Sequence, residues 1–414
     1  MASLRLEGDV NSLSVRQQQF LRDVLDKRGF KNNKVVIKPL GKAGDNYVAN
    51  VKQIIVEKEN GESLKIVAKV APTIEFIRLT MSTANVFENE RLIYEVLLPK
   101  FSKLQKDAGV PKEYQYQYAE CYGALSDTLH EMILLEDLNV KGYAMLDRLN
   151  FLTDDIVKTV LKNLAIYHSI SFVIKQAEPA YYEDLKLKFF NNWSHAIKQP
   201  PFQNHYTTMI KDTITILNND KYASVIKNIL SKMQEHDADL KNKDVNTVIH
   251  HGDAWTNNLL FKSLNGKPTE CILIDYQIAT AVSPVYDLLF MIFNCTDYAT
   301  RREHYQDWIN YYHSELDKSL SFFGLRAESL YPIDQLNSDL KTHSGFQLGL
   351  IILFASFSVR SSDEAAEMKD KMQTSDGDTE TDLMQISRME TKSRSLYVNK
   401  ITSTIDSYYE LGYL

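Results

Sequence analysis

The sequence predicts an α+β fold in two lobes, a small β-rich amino-terminal part and a larger, mostly helical remainder. Three observations carry this expectation. Short β-like runs separated by turn residues crowd into residues 1–135, whereas across 136–414 apolar residues recur chiefly at helical spacing. Among those helices lies one stretch of different character, Val248–Phe261 (VIHHGDAWTNNLLF), in which two apolar runs enclose His251, Gly252, Asp253, Asn257 and Asn258. Length agrees: 414 residues, 44% of them apolar, are enough for about two or three domain-sized cores. The expected lobes are therefore 1–135 and 136–414.

In the first lobe, Leu13, Phe20, Leu21, Val24 and Leu25 keep helical spacing, so residues 11–30 read as a helix ended by Gly29. Strands follow at Lys34–Lys38, Val48–Glu57 and Lys65–Val70, with Asn60-Gly61 as the turn between the last two. The segment Gly41-Lys-Ala-Gly44-Asp45-Asn46-Tyr47 is a glycine-containing turn, able to bring backbone N–H groups over phosphates. Lys69 stands inside the apolar run IVAKV, where an ammonium is costly unless paired. A helix over Val86–Leu98, closed by Pro99, offers the partner: Glu90 first, Glu88 as the alternative. A connection over Lys103–Tyr118 leads to strands Ala119–Leu125 and Leu129–Leu135, ending in Glu136-Asp137-Leu138.

In the second lobe, Thr153-Asp-Asp is the expected cap of a helix whose broad face carries Val157, Leu161, Leu164 and His168. That histidine reads as a satisfied core residue. Further helices fill 180–245. After Val248–Phe261, a strand Cys271–Ile274 delivers Asp275, and Asp287 opens an apolar helix as its expected N-terminal acceptor. Helices over Arg301–Phe323 and Tyr331–Val359 and in the last 20 residues complete the lobe, with 361–395 as a polar surface insertion.

Chemistry enters through spacing. Phosphoryl transfer from a nucleotide needs a carboxylate to orient the attacking hydroxyl and hard oxygen ligands for magnesium. Asp253, then Asn258, then Asp275 after a strand supply those roles in the chain order that protein kinases use. Lys69 held by Glu90 would supply the phosphate-binding cation, and the backbone at Glu136 and Leu138 the adenine contact at a hinge. The expected cofactors are ATP and Mg2+.

With these residues in hand, the chain resembles the insect ecdysteroid kinase-like family, of the choline kinase and aminoglycoside phosphotransferase branch of the protein kinase-like fold. The resemblance runs through GDNY at Gly44–Tyr47, FENERLIYEVLLPKF at Phe87–Phe101, LLEDL at Leu134–Leu138, LAIYHSIS at Leu164–Ser171, HHGDAWTNNLLF at His250–Phe261, IDYQ at Ile274–Gln277 and SPVYDL at Ser283–Leu288. It implies Asp253 as the catalytic aspartate and Asn258 with Asp275 as magnesium ligands. It implies Gly41, Gly44, Asp45, Asn46, Lys69 and Glu90 around the nucleotide, and His251 and Asp287 as structural support. The acceptor it implies is the hydroxyl of an ecdysteroid or other sterol, or of a xenobiotic alcohol or phenol. Choline or ethanolamine is the runner-up, and an inactive nucleotide- or steroid-binding regulator is the reading from another class.

Composition sets bounds. A net charge of −7 without a basic stripe argues against a nucleic-acid binder. The opening MASLRLEGDV lacks the apolar core of a secretory signal, and no apolar run reaches the ~20 residues of a membrane span. Three widely spaced cysteines, Cys121, Cys271 and Cys295, suggest reduced core thiols. The expectation is a cytoplasmic enzyme.

Overall fold

The computed structural model describes residues 4–41, 50–58, 61–240, 246–264, 266–374 and 386–414. Gly44, Asp45 and Asn46 lie outside them, as do the first two residues of the expected strand Val48–Glu57 and residues 375–385 of the expected insertion.

The first lobe is a twisted sheet. Its strands are β1 (Arg5–Gly8), β2 (Lys34–Pro39), β3 (Asn50–Glu57), β4 (Ser63–Val70), β5 (Cys121–Leu125) and β6 (Met132–Glu136), in the order β1-β2-β3-β4-β6-β5. β1 runs parallel to β2, and the other neighbours are antiparallel. One face follows the period of two: Val35, Ile37, Ile54, Val56, Ile66, Ala68, Val70, Met132 and Leu134 pack under the helix Val15–Lys27. That helix begins later than its apolar pattern, where Ser14 and Gln17 form a reciprocal capping box. β6 likewise starts at Met132 rather than Leu129, because Leu129 adopts φ +71° in a turn closed by His130 N–H on the Asp127 carbonyl.

Pro99 does not end its helix. The α-helix Thr83–Leu92 passes through a π turn, Ile93–Leu97, and resumes over Leu98–Asp107, so part of the expected connection Lys103–Tyr118 is helical. Within the π turn the Leu98 N–H reaches back to the Ile93 carbonyl, and Pro99 then falls in the first turn of the next segment, where a missing N–H breaks nothing.

Among its described residues the second lobe is helical apart from two small sheets. β7 (Tyr143–Met145), β9 (Leu259–Leu264) and β10 (Lys267–Leu273) form one, in the order β10-β9-β7; β8 (Val248–Ile249) pairs with β11 (Ala281–Val282) in the other. Long helices Asp154–Ala177, Tyr298–Ser321, Ile333–Ser358 and Thr391–Glu410 surround them. Thr153 stands at the expected N-cap, but its side chain does not cap; only its carbonyl accepts, from Val157. In the expected insertion, Ser362–Thr374 is a helix with Ala365 and Met368 buried, so that part is packed rather than peripheral. Of the three free cysteines, Cys271 and Cys295 are buried and Cys121 is partly so. Among the described residues no single helix is long and apolar enough to cross a membrane; one pair, Ile333–Ser358 with Ser362–Lys371, reaches that length only together, across a 101° bend.

Among the described residues two hydrophobic cores result. The smaller lies between the sheet and Val15–Lys27. The larger joins the second lobe to Ala71, Val86, Phe87, Leu97 and Phe101, so the helices over 83–107 pack with the larger lobe.

Candidate active site

Lys69 owes its position to alternation along β4. Ala68 and Val70 enter the smaller core, so Lys69 projects from the opposite face, beside its cross-strand partner Ile133 of the larger core. There its Nζ is 2.6 Å from Glu90 Oε2 and 2.8 Å from Asp275 Oδ1. Burial alone would lower the Lys69 pKa, but the charges of Asp275 and Glu90 overcome it and raise the value. The Glu90 carboxyl is pushed up to about 7 by its burial, partly opposed by Lys69. Of the two glutamates open in the sequence, Glu90 makes the contact; Glu88 pairs with Arg91 at 2.6 Å.

Asp253 and Asn258 arrive on the loop between β8 and β9. A turn of 3-10 helix, Thr256–Asn258, folds the Asn258 amide back so that its Nδ2 donates to the Asp253 carbonyl (2.9 Å) and to Asp253 Oδ2 (2.8 Å). Asn258 Oδ1 has no hydrogen-bond partner among the described residues. The Ile274 N–H then bonds the Asn258 carbonyl at 3.0 Å, which sets Asp275 beside Asn258 at the exit of β10. Asp275 has φ +68°, a conformation that costs about 1–3 kcal/mol outside glycine and is found mostly at functional sites.

A buried frame holds this loop. Asp287, fully buried, accepts the His251 N–H at 2.7 Å and the Gly252 N–H at 2.8 Å. It does not act as acceptor for its own helix, the expectation from sequence, because both carboxylate oxygens are committed to the loop. His168 Nε2 donates to Asp287 Oδ2 at 3.0 Å, and its Nδ1 accepts from the Tyr312 hydroxyl at 2.9 Å. Burial alone would raise the Asp287 pKa; His250, His168 and His251 reverse this and hold the carboxyl well below the usual range. His251 accepts the Asp253 N–H on Nδ1 (3.2 Å) and donates from Nε2 to the Ile274 carbonyl (3.0 Å), which fixes a neutral tautomer. Burial lowers its pKa to about 4. Gly252 has φ +85°, and a Cβ there would meet the Ile278 carbonyl oxygen at 2.7 Å.

The structure thus brings Lys69, Glu90, Asp253, Asn258 and Asp275 together, with His251 and Asp287 behind them. Glu136 and Leu138 stand at the end of β6, three and five residues past Ile133, the cross-strand partner of Lys69. Glu136 N–H bonds the Glu120 carbonyl, its carboxylate pairs with Lys141 at 2.6 Å, and Leu138 is buried. Gly41 lies just beyond β2 at φ +91°. Local pattern does not announce Trp255, whose backbone N–H donates to the Asp253 carbonyl at 3.0 Å, or the bond between His168 and Asp287. Asn89 escaped too: its side chain bonds the backbone of Phe190 and Gln277.

With all three carboxylates ionised, Glu90, Asp253 and Asp275 against the one ammonium of Lys69 would leave the cluster two charges negative. Burial first, and the charge of Asp275 second, push the Asp253 pKa well above its usual value. A divalent cation relieves that repulsion. Among the described residues no group of three or more His, Cys, Asp or Glu gathers to cage a metal. One carboxylate and one amide oxygen, Asp275 and Asn258 Oδ1, are instead the sparse hard-oxygen set that suits magnesium shared with phosphates.

A search of curated proteins returned no match. Among solved structures, the chain is similar to choline kinase LicA from Streptococcus pneumoniae, at 13% identity over 94% of this chain and 99% of that one, with a TM-score of 0.39. It is similar to a microcompartment-associated aminopropanol kinase at 12% identity over 97% and 98%, TM-score 0.46. It is similar to macrolide 2'-phosphotransferase MphH from Brachybacterium faecium at 11% identity over 87% and 98%, TM-score 0.36. These similarities are distant. The sequence profile of the ecdysteroid kinase-like family matches residues 43–325, more than half of the chain. On that match the chain belongs to the ecdysteroid kinase-like family, a family of kinase-like phosphotransferases.

Proposed function

We propose that this protein transfers the γ-phosphoryl group of ATP to a hydroxyl of a small molecule, and that Asp253 orients that hydroxyl. One observation carries the reading: Lys69, paired to Glu90 and Asp275, shares a cluster with an Asp253–Asn258 pair whose loop is braced by Asp287. Lys69 holds the α- and β-phosphates, and Asp275 with Asn258 Oδ1 holds magnesium. Bound magnesium supplies charge neutralisation at the transferred phosphoryl group. Gly41, with Gly44, Asp45 and Asn46 outside the described residues, contributes to the phosphate contacts, and the backbone at Glu136 and Leu138 meets the adenine. In a loose transition state the hydroxyl proton leaves late, so Asp253 has mainly to aim the nucleophile and accept a proton at the end. Membership of the ecdysteroid kinase-like family supports a sterol-like hydroxyl, or a xenobiotic alcohol or phenol, as acceptor. The absence of an apolar crossing helix among the described residues is compatible with a cytoplasmic setting.

The test is ADP release from Mg-ATP over a panel of ecdysteroids, plant phenols, glycosides, choline and ethanolamine. Acceptor-dependent ADP is expected with a sterol or phenol, and Asp253→Asn should lower turnover by ~10²-fold or more while still binding Mg-ATP. Asp275→Ala should abolish the magnesium dependence of ATP binding in a calorimeter. Mg-ATP binding without turnover on any acceptor would favour the regulator, and no binding at all would overturn the reading.

A further inference from the structure

The geometry points to Asn89 as a positioning residue: it pins the Glu90 helix to the larger lobe, so that Lys69 meets a two-carboxylate socket assembled before nucleotide arrives. This rests on the role proposed above for Lys69 and Glu90.

Asn89 is fully buried, between Glu88 and Glu90 on Thr83–Leu92. Its Oδ1 accepts the Phe190 N–H at 2.9 Å, and its Nδ2 donates to the Phe190 carbonyl at 2.9 Å and to the Gln277 carbonyl at 3.3 Å. An asparagine side chain is a peptide group in miniature, and here it pairs with main chain on both its edges. Phe190 lies between the helices Pro179–Lys188 and Asn192–Ala196 of the larger lobe. Gln277 lies two residues beyond Asp275.

The next residue, Glu90, meets the same ammonium as Asp275, that of Lys69. Asn89 therefore ties Gln277, two residues beyond Asp275, to the helix turn that carries Glu90. That spacing sets the distance between the Glu90 and Asp275 carboxylates. Apolar packing agrees, since Val86, Phe87, Ile93 and Tyr94 enter the larger core while the opposite face of β4 belongs to the smaller one. Glu90 and Asp275 then behave as one rigid body, and Lys69 is the strut from the sheet that docks between them. Were the helix free to swing, Lys69 would lose a partner and the remaining buried charges would go unpaired.

The test uses the full chain and reads affinity for Mg-ATP by calorimetry, which needs no acceptor, with the melting temperature as a control on folding. Asn89→Ser and Glu90→Gln should each weaken Mg-ATP binding by about tenfold. If Asn89 acts through Glu90, the double variant should bind within about twofold of Glu90→Gln alone, because coupled residues are non-additive. Factors that multiply would make Asn89 merely structural and overturn the proposal, as would wild-type affinity in Asn89→Ser. Wild-type affinity in Glu90→Gln would instead overturn the role given to the Lys69–Glu90 pair, and this proposal with it. Should Asn89→Ser not fold, Asn89→Asp, equal in size but lacking the donor, is read by the same criteria.

Discussion

Asp253 stands in a conflict between its proposed role and stability. Burial and the Asp275 charge raise its pKa, so its charged form is harder to hold in the folded chain than in the unfolded one. A carboxyl with a raised folded pKa contributes stability below its unfolded value near ~3.9 and loses that contribution as pH rises through the folded value. Without metal or nucleotide, Asp253→Asn should therefore melt above wild type, by about 2 °C or more near pH 8, with the gap closing near pH 4. A thermal scan across pH decides this, and a gap that widened toward acid would refute the repulsion. Mg-ATP should shrink the gap at high pH by offsetting the Asp275 charge. At this scale the sequence was legible where chemistry dictates residue type and interval: Asp253, Asn258 and Asp275 could be picked by spacing, and the structure sets them side by side. It was silent where a contact joins distant positions. His168 to Asp287 spans 119 residues and Asn89 to Gln277 spans 188, and no local pattern encodes such hydrogen bonds.

Elements answer to turn chemistry more than to periodicity. The loop from β8 to β9 can bend as it does because Gly252 takes φ +85° directly against the Ile278 carbonyl. Gly29 has a similar φ of +89° but nothing within 4 Å of the position its Cβ would occupy. Gly29→Ala should thus cost only the backbone term, about 1 kcal/mol. Gly252→Ala adds a main-chain clash and should cost about 2 kcal/mol or more, with a fall in turnover as the His251–Asp253 segment shifts. Urea unfolding of both variants separates the two terms, and equal losses would mean the close approach is relieved without strain. The same distinction explains which boundaries could be read. Strands and the Gly29 stop follow local rules, whereas Pro99 was misleading because a π turn, invisible in the apolar pattern, moved it into a first helical turn. Thr153 and Asp287 occupy cap-like positions, yet Asp287 is drawn off by the loop, a tertiary demand that outranks local preference.

For the whole molecule, covalent order and packing divide the chain differently. Counted by sequence, the helices over 83–107 sit between strands of the first lobe; counted by buried contacts, they belong to the second. Hydrophobic periodicity shows that a face is buried but not against which partner, so the division at 135 drawn from sequence could not show this. Likewise, Tyr397, Ile401, Ile405 and Tyr408 lie beyond the family match at 325 and still enter the larger core. If the two cores are the units of opening, native-state hydrogen exchange should resolve them. Amides of β2, β3 and Val15–Lys27, resting on the smaller core, should exchange through a lower-energy opening. Amides of Thr83–Leu92 should exchange with the larger lobe instead, although β4 and β6 flank them in the chain. Exchange of Thr83–Leu92 together with the sheet would mean that the Glu90 helix travels with the amino-terminal sheet. Exchange with Asp154–Ala177 would place the whole Glu90–Asp275 socket on one rigid body, leaving the sheet and Lys69 as the part that moves and, on the proposed function, admits ATP.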